Sequence, residues 1–422
     1  MIDQRLRKEG DELLPLKKVF VQHVTKTAGT SLFYFLEPNF SYHATVTSQR
    51  FWNQWSADPV LLEQTRNTVH PMLVRMPPSL ANTAQYAHGH FKEFFRQVMF
   101  GDWFAIGTSR SVDERLISSL DHQVRDNAMD KRLVAFLRGH KLSSEWVLKG
   151  LINNSHMGFY ATTSTRSVLW EADTNFHIDL PTLANQALAN IDRYDYIIDS
   201  SDFSDHCQHL AEGLHHTNNV GQINTRHSFG QASAFDQRDI DSLRSKFPAF
   251  FELEDAIYAR LEAKSQASLN QPLAQLLNRA SRRQDKTVAL LPDRADVTGM
   301  SPAIPAGLHG WENEFYRELL PGASINNIAV TTGNYVAHVW LWSADTERFK
   351  RVKLRVMPSK DQTQRIDLIE NPSKHLWLLS VAFTATSDGS VSLVFDEPDD
   401  PVRTLWLGAK IYYQEPVDHA TG

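Results

Sequence analysis

The sequence predicts a three-layer α/β domain with a parallel sheet, followed by a C-terminal antiparallel β-sandwich. In the first part, short apolar runs alternate with amphipathic helical patterns, which is typical of a mostly parallel sheet covered by helices. In the last part, apolar or alternating runs are separated by turn signals, as in antiparallel sheets. We therefore divide the chain into an N-terminal extension (1–16), an α/β domain (17–264), a linker (265–310) and a β-sandwich domain (311–422).

The elements of the α/β domain follow from residue type and periodicity. Three apolar runs, at 19–24, 103–108 and 194–199, are rich in β-branched or aromatic residues and are short enough to be buried strands. The segments 183–191 and 250–261 repeat apolar residues at steps of three and four. That spacing places the apolar side chains on one face of a helix, so these helices are expected to cover the sheet.

The linker and the β-sandwich are predicted from composition and alternation. A basic, polar tract and then a Pro- and Gly-rich tract occupy the chain between residues 264 and 310, and such a change indicates a boundary. Turn signals recur in the part that follows, for example around Asp388 and Pro398. The strand-like runs of this part span 335–342, 352–357, 376–384, 391–395 and 404–412.

Tryptophans are frequent in the predicted β-sandwich. Aromatic faces can stack on sugar rings, which would suit a polysaccharide acceptor. Tryptophans that alternate along strands are more often core residues, so a structural or oligomerisation role is the stronger interpretation. The tryptophans concerned are Trp311, Trp340, Trp342, Trp377 and Trp406.

Composition excludes a general affinity for polyanions. The net charge of −6 provides no global basic field of the kind that holds nucleic acid, so any anion site must be local. The lone cysteine, Cys207, fits a reducing compartment. The charged start lacks the apolar core of a secretory signal, and no run reaches the roughly 18 apolar residues of a membrane span. These features predict a soluble, cytoplasmic protein without a transmembrane segment.

The first chemical motif follows the first predicted strand. We call residues 25–31, with the sequence TKTAGTS, the anion loop. A loop that leaves a strand and enters a helix presents backbone N–H groups at the positive end of the helix dipole. Gly29 allows close approach of a ligand, Thr30 and Ser31 are expected to cap the helix, and Lys26 adds a mobile positive charge. The spacing is not that of the nucleoside-triphosphate P-loop motif.

The second motif follows the second predicted strand. Arg110 comes directly after the strand end, and Ser118 lies about two helical turns further on. Open α/β sheets bind ligands at the carboxyl ends of their strands, and an arginine can hold a phosphate with two parallel hydrogen bonds. Arg110 is therefore a candidate for a phosphate contact at the carboxyl edge of the sheet.

These motifs resemble those of the carbohydrate sulfotransferases, whose donor is 3′-phosphoadenosine 5′-phosphosulfate (PAPS). The resemblance covers about residues 17 to 262 and implies a P-loop-like α/β fold. The chain departs from the family pattern at Thr25, where proline is usual, and at Ser111 and Val112, which replace Asp-Pro. The residues that the resemblance assigns to the 5′-phosphosulfate are Lys26, Thr27, Ala28, Gly29, Thr30 and Ser31.

The resemblance also implies roles for residues outside the anion loop. Arg110 and Ser118 match the residues that hold the 3′-phosphate, whereas Thr225 and Arg226 lie in a loop expected to close over the nucleotide. The sequence His88-Gly89-His90 matches a histidine pair that precedes the second strand in the family. By that match, His90 is the candidate general base.

The implied reaction is in-line attack of an acceptor hydroxyl on the PAPS sulfur, which leaves adenosine 3′,5′-bisphosphate. Lys26 would stabilise the charge on the departing phosphate, His90 would accept the proton, and His88 would orient the site. His23 falls in the first predicted strand and is interpreted as a core histidine. The adjacent His215 and His216 lack a convincing third ligand, so no metal site is predicted.

The acceptor is predicted to be a glycan, a polysaccharide or a glycolipid, and a protein tyrosine or a small metabolite is a further possibility. The missing membrane anchor suggests a bacterial source. Two other classes of function stay open. A kinase-like phosphotransferase could use the same anion loop, but it would need a Mg²⁺-binding carboxylate near the phosphates. A non-catalytic carbohydrate-binding or scaffold protein could carry a degenerate donor site, for which the change at Ser111 and Val112 is the only hint.

Overall fold

The structure is a computed structural model. It describes residues 18–40, 45–47, 84–91, 93–125, 132–161, 179–214, 233–305, 315–343, 352–359, 362–368, 376–396 and 403–415. The predicted N-terminal extension (1–16), the histidines His215 and His216, the loop residues Thr225 and Arg226, and Trp311 lie outside these ranges.

A five-stranded sheet forms the centre of the first part of the chain. The strands are β1 (Val19–Gln22), β2 (Thr45–Thr47), β3 (Tyr86–Gly89), β4 (Phe104–Ser109) and β5 (Tyr196–Asp199). Their order is β2-β3-β1-β4-β5, and every neighbouring pair is parallel. The parallel sheet is therefore confirmed, and β1 lies at its centre, as expected for its unbroken run of buried residues.

Helices cover both faces of this sheet. In chain order they are α1 (Gly29–Leu36), α2 (Glu93–Phe100), α3 (Val112–Arg125), α4 (Arg132–Leu137), α5 (Ser144–Asn153), α6 (His156–Tyr160), α7 (Leu180–Ile191), α8 (Phe203–Leu214), α9 (Gln237–Lys246), α10 (Pro248–Asn270) and α11 (Leu273–Asp285). Val19 and Val21 pack on α1, α8 and α11, whereas Phe20 packs on the opposite side with α2, α3 and α10. The alternation of strand side chains thus gives three layers.

The predicted element boundaries are close to the observed ones. The strand predicted at 19–24 ends at Gln22, and the one predicted at 194–199 begins at Tyr196. The helix predicted at 250–261 extends over Pro248–Asn270. The early end of β1 matters most, because it moves His23 from the strand to the start of the loop.

The last part of the chain forms a ten-stranded sheet that is nearly barrel-like. Its strands are β6 (Val288–Leu290), β7 (Val297–Met300), β8 (Ile304–Pro305), β9 (Phe315–Val330), β10 (Gly333–Ser343), β11 (Lys353–Met357), β12 (Gln362–Leu368), β13 (Leu376–Ala385), β14 (Gly389–Asp396) and β15 (Thr404–Gln414). The main path is β11-β14-β9-β15-β10-β13-β12, and its pairs are antiparallel. The prediction of an antiparallel β region is confirmed, and the long strand β9 joins its two halves.

The residues assigned to a linker, 265–310, are mostly helix and strand where the structure describes them, up to residue 305. Helix α10 continues to Asn270, α11 packs against the parallel sheet through Leu273 and Leu276, and β6 to β8 join the β region. The basic tract looked like a linker because most of its charged residues are exposed on α11, although Arg283 is buried and pairs with Asp195. The apolar residues of α11 form its buried face.

The β region shares a core with the α/β part. Trp340, Leu378 and Leu407 belong to the same buried cluster as the helices on the Phe20 face. The register between β10 and β15 shifts next to Trp340, where Leu407 is the extra residue of a β-bulge, and such a bulge changes which face a side chain points to. The β region is therefore joined to the α/β part by a packed interface.

A buried polar contact reinforces this interface. The Lys410 ammonium, 1% exposed, donates to Asp102 Oδ1 at 3.0 Å and to the Met99 carbonyl at 3.2 Å. The Tyr412 hydroxyl donates to the Val98 carbonyl at 2.6 Å. These contacts pair polar groups that would be costly to bury alone. Among the helices that the structure describes, none has the length and apolar character needed to cross a membrane.

Candidate functional site

The anion loop and Arg110 lie at the same edge of the parallel sheet. β1 and β4 are neighbours in register, with Gln22 opposite Gly107, so the residues after both strands emerge side by side. After β1 the chain continues to β2, at one end of the strand order, and after β4 it continues to β5, at the opposite end. Loops that diverge in this way form a crevice at the carboxyl edge, where open α/β sheets bind ligands.

The backbone of the anion loop is strained in a way that suits an anion. Lys26 and Ala28 have φ angles of 66° and 59°, which lie in the left-handed region. A non-glycine residue there costs about 1–2 kcal/mol, and such strain persists where the surroundings fix it, often at functional sites. Left-handed residues that alternate with ordinary ones turn successive N–H groups toward one concave side, which is a known form of anion site.

The side chain of Thr27 holds the anion loop in place. This side chain is buried, and its hydroxyl lies 2.7 Å from the Val24 carbonyl and 2.6 Å from the hydroxyl of Thr108 on β4. Thr108 also contacts the Gln22 carbonyl and accepts from the Val24 N–H. The Thr27 side chain therefore closes the loop onto β4, and only its backbone N–H is left to contribute to the predicted donor site.

The helix after the loop starts without a side-chain cap. α1 begins at Gly29, its N-cap residue is Ala28, and no side chain of the described residues caps it. The prediction that Thr30 or Ser31 caps the helix is wrong, because the helix begins before both and places them inside its first turn. No acidic residue lies in that turn, so the N–H groups and the positive dipole end suit an external anion.

A histidine packs directly on the start of α1. A Cβ atom built on Gly29 would lie only 2.0–2.4 Å from three ring atoms of His23, so the ring occupies the space that any other residue at position 29 would need. Burial keeps the pKa of His23 well below its usual value, and a proton on His90 or His88 and the charge of Lys26 lower it further. His23 was predicted to lie within the first strand, but β1 ends one residue before it, at Gln22.

The candidate base His90 is exposed and is oriented by a backbone contact. Its Nδ1 atom lies 2.7 Å from the His23 carbonyl oxygen. A carbonyl can only accept, so Nδ1 carries the hydrogen of this bond, and in the neutral ring the lone pair then lies on Nε2. The ring centroids of His90 and His23 are 4.2 Å apart. This arrangement is suited to a proton acceptor of defined orientation.

His88 has a different environment. It is buried, and its Nδ1 atom lies 3.0 Å from the Tyr86 hydroxyl. Burial, followed by the charge of His90, lowers the pKa of His88 to about 3, although the Gly29 backbone offsets part of this effect. A histidine that stays neutral down to such a pH is a poor base, so its environment suits the orienting role predicted for it.

Arg110 directly follows β4, at the same edge of the sheet as the anion loop. Its side chain is partly exposed, and its Nε donates to Glu114 Oε2 at 3.2 Å across one helical turn. Exposed ion pairs of this kind contribute at most about 1 kcal/mol, so a phosphate could displace Glu114. Ser118 lies two turns further along α3 and is partly buried. The structure thus brings the anion loop, the histidine pair and Arg110 to one edge of the sheet.

A buried network supports the helix that follows Arg110. The Glu254 carboxylate accepts from the backbone N–H groups of His156 and Met157, at 2.6 and 3.0 Å, and from His156 Nδ1 at 2.8 Å. It also pairs with Arg115 Nη2 at 3.2 Å. Arg115 therefore makes a structural contact inside the protein, through its ion pair with Glu254.

Several features of the site were not predicted. His23 is close to the anion loop in the sequence, which could have indicated its place in the site, but the apolar strand pattern obscured this. Nothing in the sequence indicated the role of Thr108, because that role depends on contact with a loop far away in the sequence. Asp199, at the end of β5, accepts from Ser109 Oγ at 2.7 Å and from Ser201. Within the described ranges, no group of three histidine, cysteine or acidic side chains is arranged to hold a metal ion.

The tryptophans of the β region are mostly internal. Trp377 and Trp406 are buried in the core of the β region, and Trp340 is buried at the interface with the helices. Trp342 is partly buried and packs on the same interface. The structural interpretation of these four residues is confirmed.

The comparisons with known proteins give little. No protein-family model matches the chain, and no curated protein matches it. One similar solved structure is the C-terminal CBM6 module of LamC, a laminarinase of the marine organism Zobellia galactanivorans, with 10% identity, 30% of this chain and 98% of that chain covered, and a TM-score of 0.20.

Two other solved structures are similar at the same level. One is the exo-β-1,3-galactanase of Phanerochaete chrysosporium, with 14% identity, 30% of this chain and 29% of that chain covered, and a TM-score of 0.20. The other is the family GH115 4-O-methyl-α-glucuronidase BtGH115A, with 12% identity, 68% and 34% covered, and a TM-score of 0.18. Similarity this weak carries no argument about fold or function.

Proposed function

We propose that the chain is a PAPS-dependent sulfotransferase with a P-loop-like fold, which transfers a sulfuryl group to a hydroxyl of a glycan, polysaccharide or glycolipid. The observation that carries the proposal is that a candidate anion site and a candidate base are linked through a single residue. The concave, uncapped start of α1 and the exposed His90 are linked through one residue, His23, by the 2.7 Å bond from His90 Nδ1. An anion donor and an acceptor hydroxyl could meet there.

The donor would be held by its two charged ends. The backbone N–H groups of residues 27–31 would bind the 5′-phosphosulfate at the start of α1. Arg110 and Ser118 would bind the 3′-phosphate, because Arg110 follows the neighbouring strand at the same sheet edge. Thr225 and Arg226 are proposed to close over the nucleotide.

The transfer would proceed by in-line displacement. The acceptor oxygen forms a new bond to sulfur while the bond from sulfur to the 5′-phosphate oxygen breaks, and the electron pair of that bond stays on the phosphate. The acceptor proton passes to Nε2 of His90. Lys26 stabilises the charge that develops on the departing oxygen, and His88 orients the site. The products are the sulfated acceptor and adenosine 3′,5′-bisphosphate.

The described tryptophans of the β region are packed in the interior, so we assign the acceptor contacts to the crevice near His90. The single cysteine, Cys207, is buried and unpaired with another cysteine, and a cytoplasmic location forms part of the proposal.

Transfer from PAPS tests the proposal. The wild-type protein is incubated with PAPS carrying radiolabelled sulfate and a panel of neutral and uronic-acid polysaccharides, and label in the polymer is counted. His90→Ala should lose about 10²–10⁴-fold in turnover, and Lys26→Ala about 10²–10³-fold, while both still bind adenosine 3′,5′-bisphosphate. His140→Ala and Lys246→Ala, at exposed positions outside the crevice, serve as matched controls. Full turnover of either site variant would remove that residue from the mechanism.

A further inference from the structure

His23 contacts three separate parts of the candidate site. Its ring fills the space over Gly29, with ring atoms only 2.0–2.4 Å from the position that a methyl group on Gly29 would take. The ring centroid lies 4.2 Å from that of His90 and 5.4 Å from that of His88. Neither anion binding at the start of α1 nor proton transfer to His90 requires this side chain, so its contacts call for a separate explanation.

The backbone of His23 holds the same parts together. Its N–H donates to the Gly89 carbonyl at 2.9 Å, which continues the β1–β3 pairing beyond the strand end. Its carbonyl accepts from His90 Nδ1 at 2.7 Å. Because Gly89 lies between the two other histidines, these two bonds fix the start of the anion loop relative to both.

The electrostatic environment keeps the ring uncharged. Burial lowers the pKa of His23, and a proton on His90 or His88 and the charge of Lys26 lower it further. The ring therefore stays neutral when Lys26 is charged and when His90 takes up a proton. A neutral ring beside His90 adds no further positive charge to the site.

We propose that His23 is a positioning residue of the transfer site, whose ring sets the spacing between the anion loop at Gly29 and the base His90. The inference rests on the proposed function, since only a reaction between a bound anion and a base makes this spacing matter. The proposal predicts that loss of the His23 ring slows the chemical step more than it weakens PAPS binding, because the backbone N–H groups of α1 are unchanged.

Two single variants and their combination test the spacing. Gly29→Ala places a methyl group where the His23 ring lies, so the ring must move and turnover should fall at least 10-fold. His23→Ala should lower kcat about 10–100-fold and change the KM for PAPS less than about threefold. In the double variant the methyl group enters space that the ring has left, so adding Gly29→Ala to His23→Ala should cost less than about twofold. If the loss of turnover in the double variant equals the product of the losses in the two single variants, the proposal is overturned.

A ring-retaining variant separates spacing from proton chemistry. His23→Phe keeps a planar ring over Gly29 but has no ring nitrogen. Its kcat should be at least threefold higher than that of His23→Ala. Recovery no better than in the alanine variant would overturn the role of the ring as a spacer. An equal loss of adenosine 3′,5′-bisphosphate affinity and kcat in His23→Ala would also overturn it, because the ring would then act only through the fold of the loop.

The proposed function and this inference can fail separately. Turnover is measured as release of inorganic sulfate from PAPS with water as acceptor, so no natural acceptor is needed. A wild-type protein that neither binds the bisphosphate nor releases sulfate would overturn both. A wild-type protein that does both, with His23 variants that keep full kcat, would overturn only the inference.

Discussion

The carboxylate of Glu254 offers the sharpest test of the buried network. It is fully buried and accepts three hydrogen bonds from His156 and Met157 in addition to its ion pair with Arg115. Glu254→Gln removes the charge with little change in shape and leaves Arg115 buried without its counter-charge. Breaking a buried pair in this way typically costs about 3–5 kcal/mol, so we expect a loss of unfolding free energy in that range at pH 7.

The pH dependence of this loss follows from the pKa of Glu254. Burial alone would raise it, but the charge interaction and hydrogen bond with His156, followed by the charge of Arg115, outweigh burial and lower the pKa from 4.5 to about 2. A lowered pKa stabilises the fold above the unfolded-state value of 4.5, and this stabilisation is lost as the pH falls from 4.5 toward 2. The full contribution is about 3 kcal/mol, and roughly 1 kcal/mol of it should be gone at about pH 3.5.

Urea unfolding followed by tryptophan fluorescence measures both effects. The difference between wild type and Glu254→Gln should be the same at pH 7 and about pH 5.5, and should narrow by roughly 1 kcal/mol at about pH 3.5. Glu252→Gln, at an exposed position of the same helix, should change stability by less than about 0.5 kcal/mol at every pH. A difference below about 1 kcal/mol at pH 7, or one that does not narrow in acid, would refute this reasoning.

Two further predictions concern the loop and the interface. Thr27→Val should destabilise the protein by about 1–2 kcal/mol through loss of the hydroxyl contacts with Val24 and Thr108, whereas Thr27→Ser should be close to wild type; equal stability of both in urea would contradict this. Lys410→Met should cost about 3–5 kcal/mol because Asp102 is left buried without its partner, and adding Asp102→Asn should recover part of the loss in the same assay.

The anion loop could be predicted because its signal is local. Seven consecutive residues between a strand pattern and a helix pattern were enough to indicate an anion site. The left-handed conformations of Lys26 and Ala28 could not be predicted, since non-glycine residues normally avoid them. The residue between them, Thr27, contacts Thr108, which is 81 residues away in the sequence.

The errors of sequence reasoning have a common origin in tertiary packing. His23 continued an apolar strand pattern, and only the pairing of β1 with β3 shows that it meets the two histidines of the site. The basic tract within 265–310 looked like a linker, but its apolar residues are buried on the sheet. Lys410 showed no sign in the sequence that it would be buried against Asp102.

The most direct test of the central claim is a calorimetric titration with adenosine 3′,5′-bisphosphate, with ATP and Mg²⁺ as the control. We expect micromolar binding of the bisphosphate, weaker binding of ATP, and loss of bisphosphate binding in Arg110→Ala, because Arg110 lies beside the anion loop at the sheet edge. The outcome that would contradict the account is a preference for ATP with Mg²⁺, or binding of neither nucleotide.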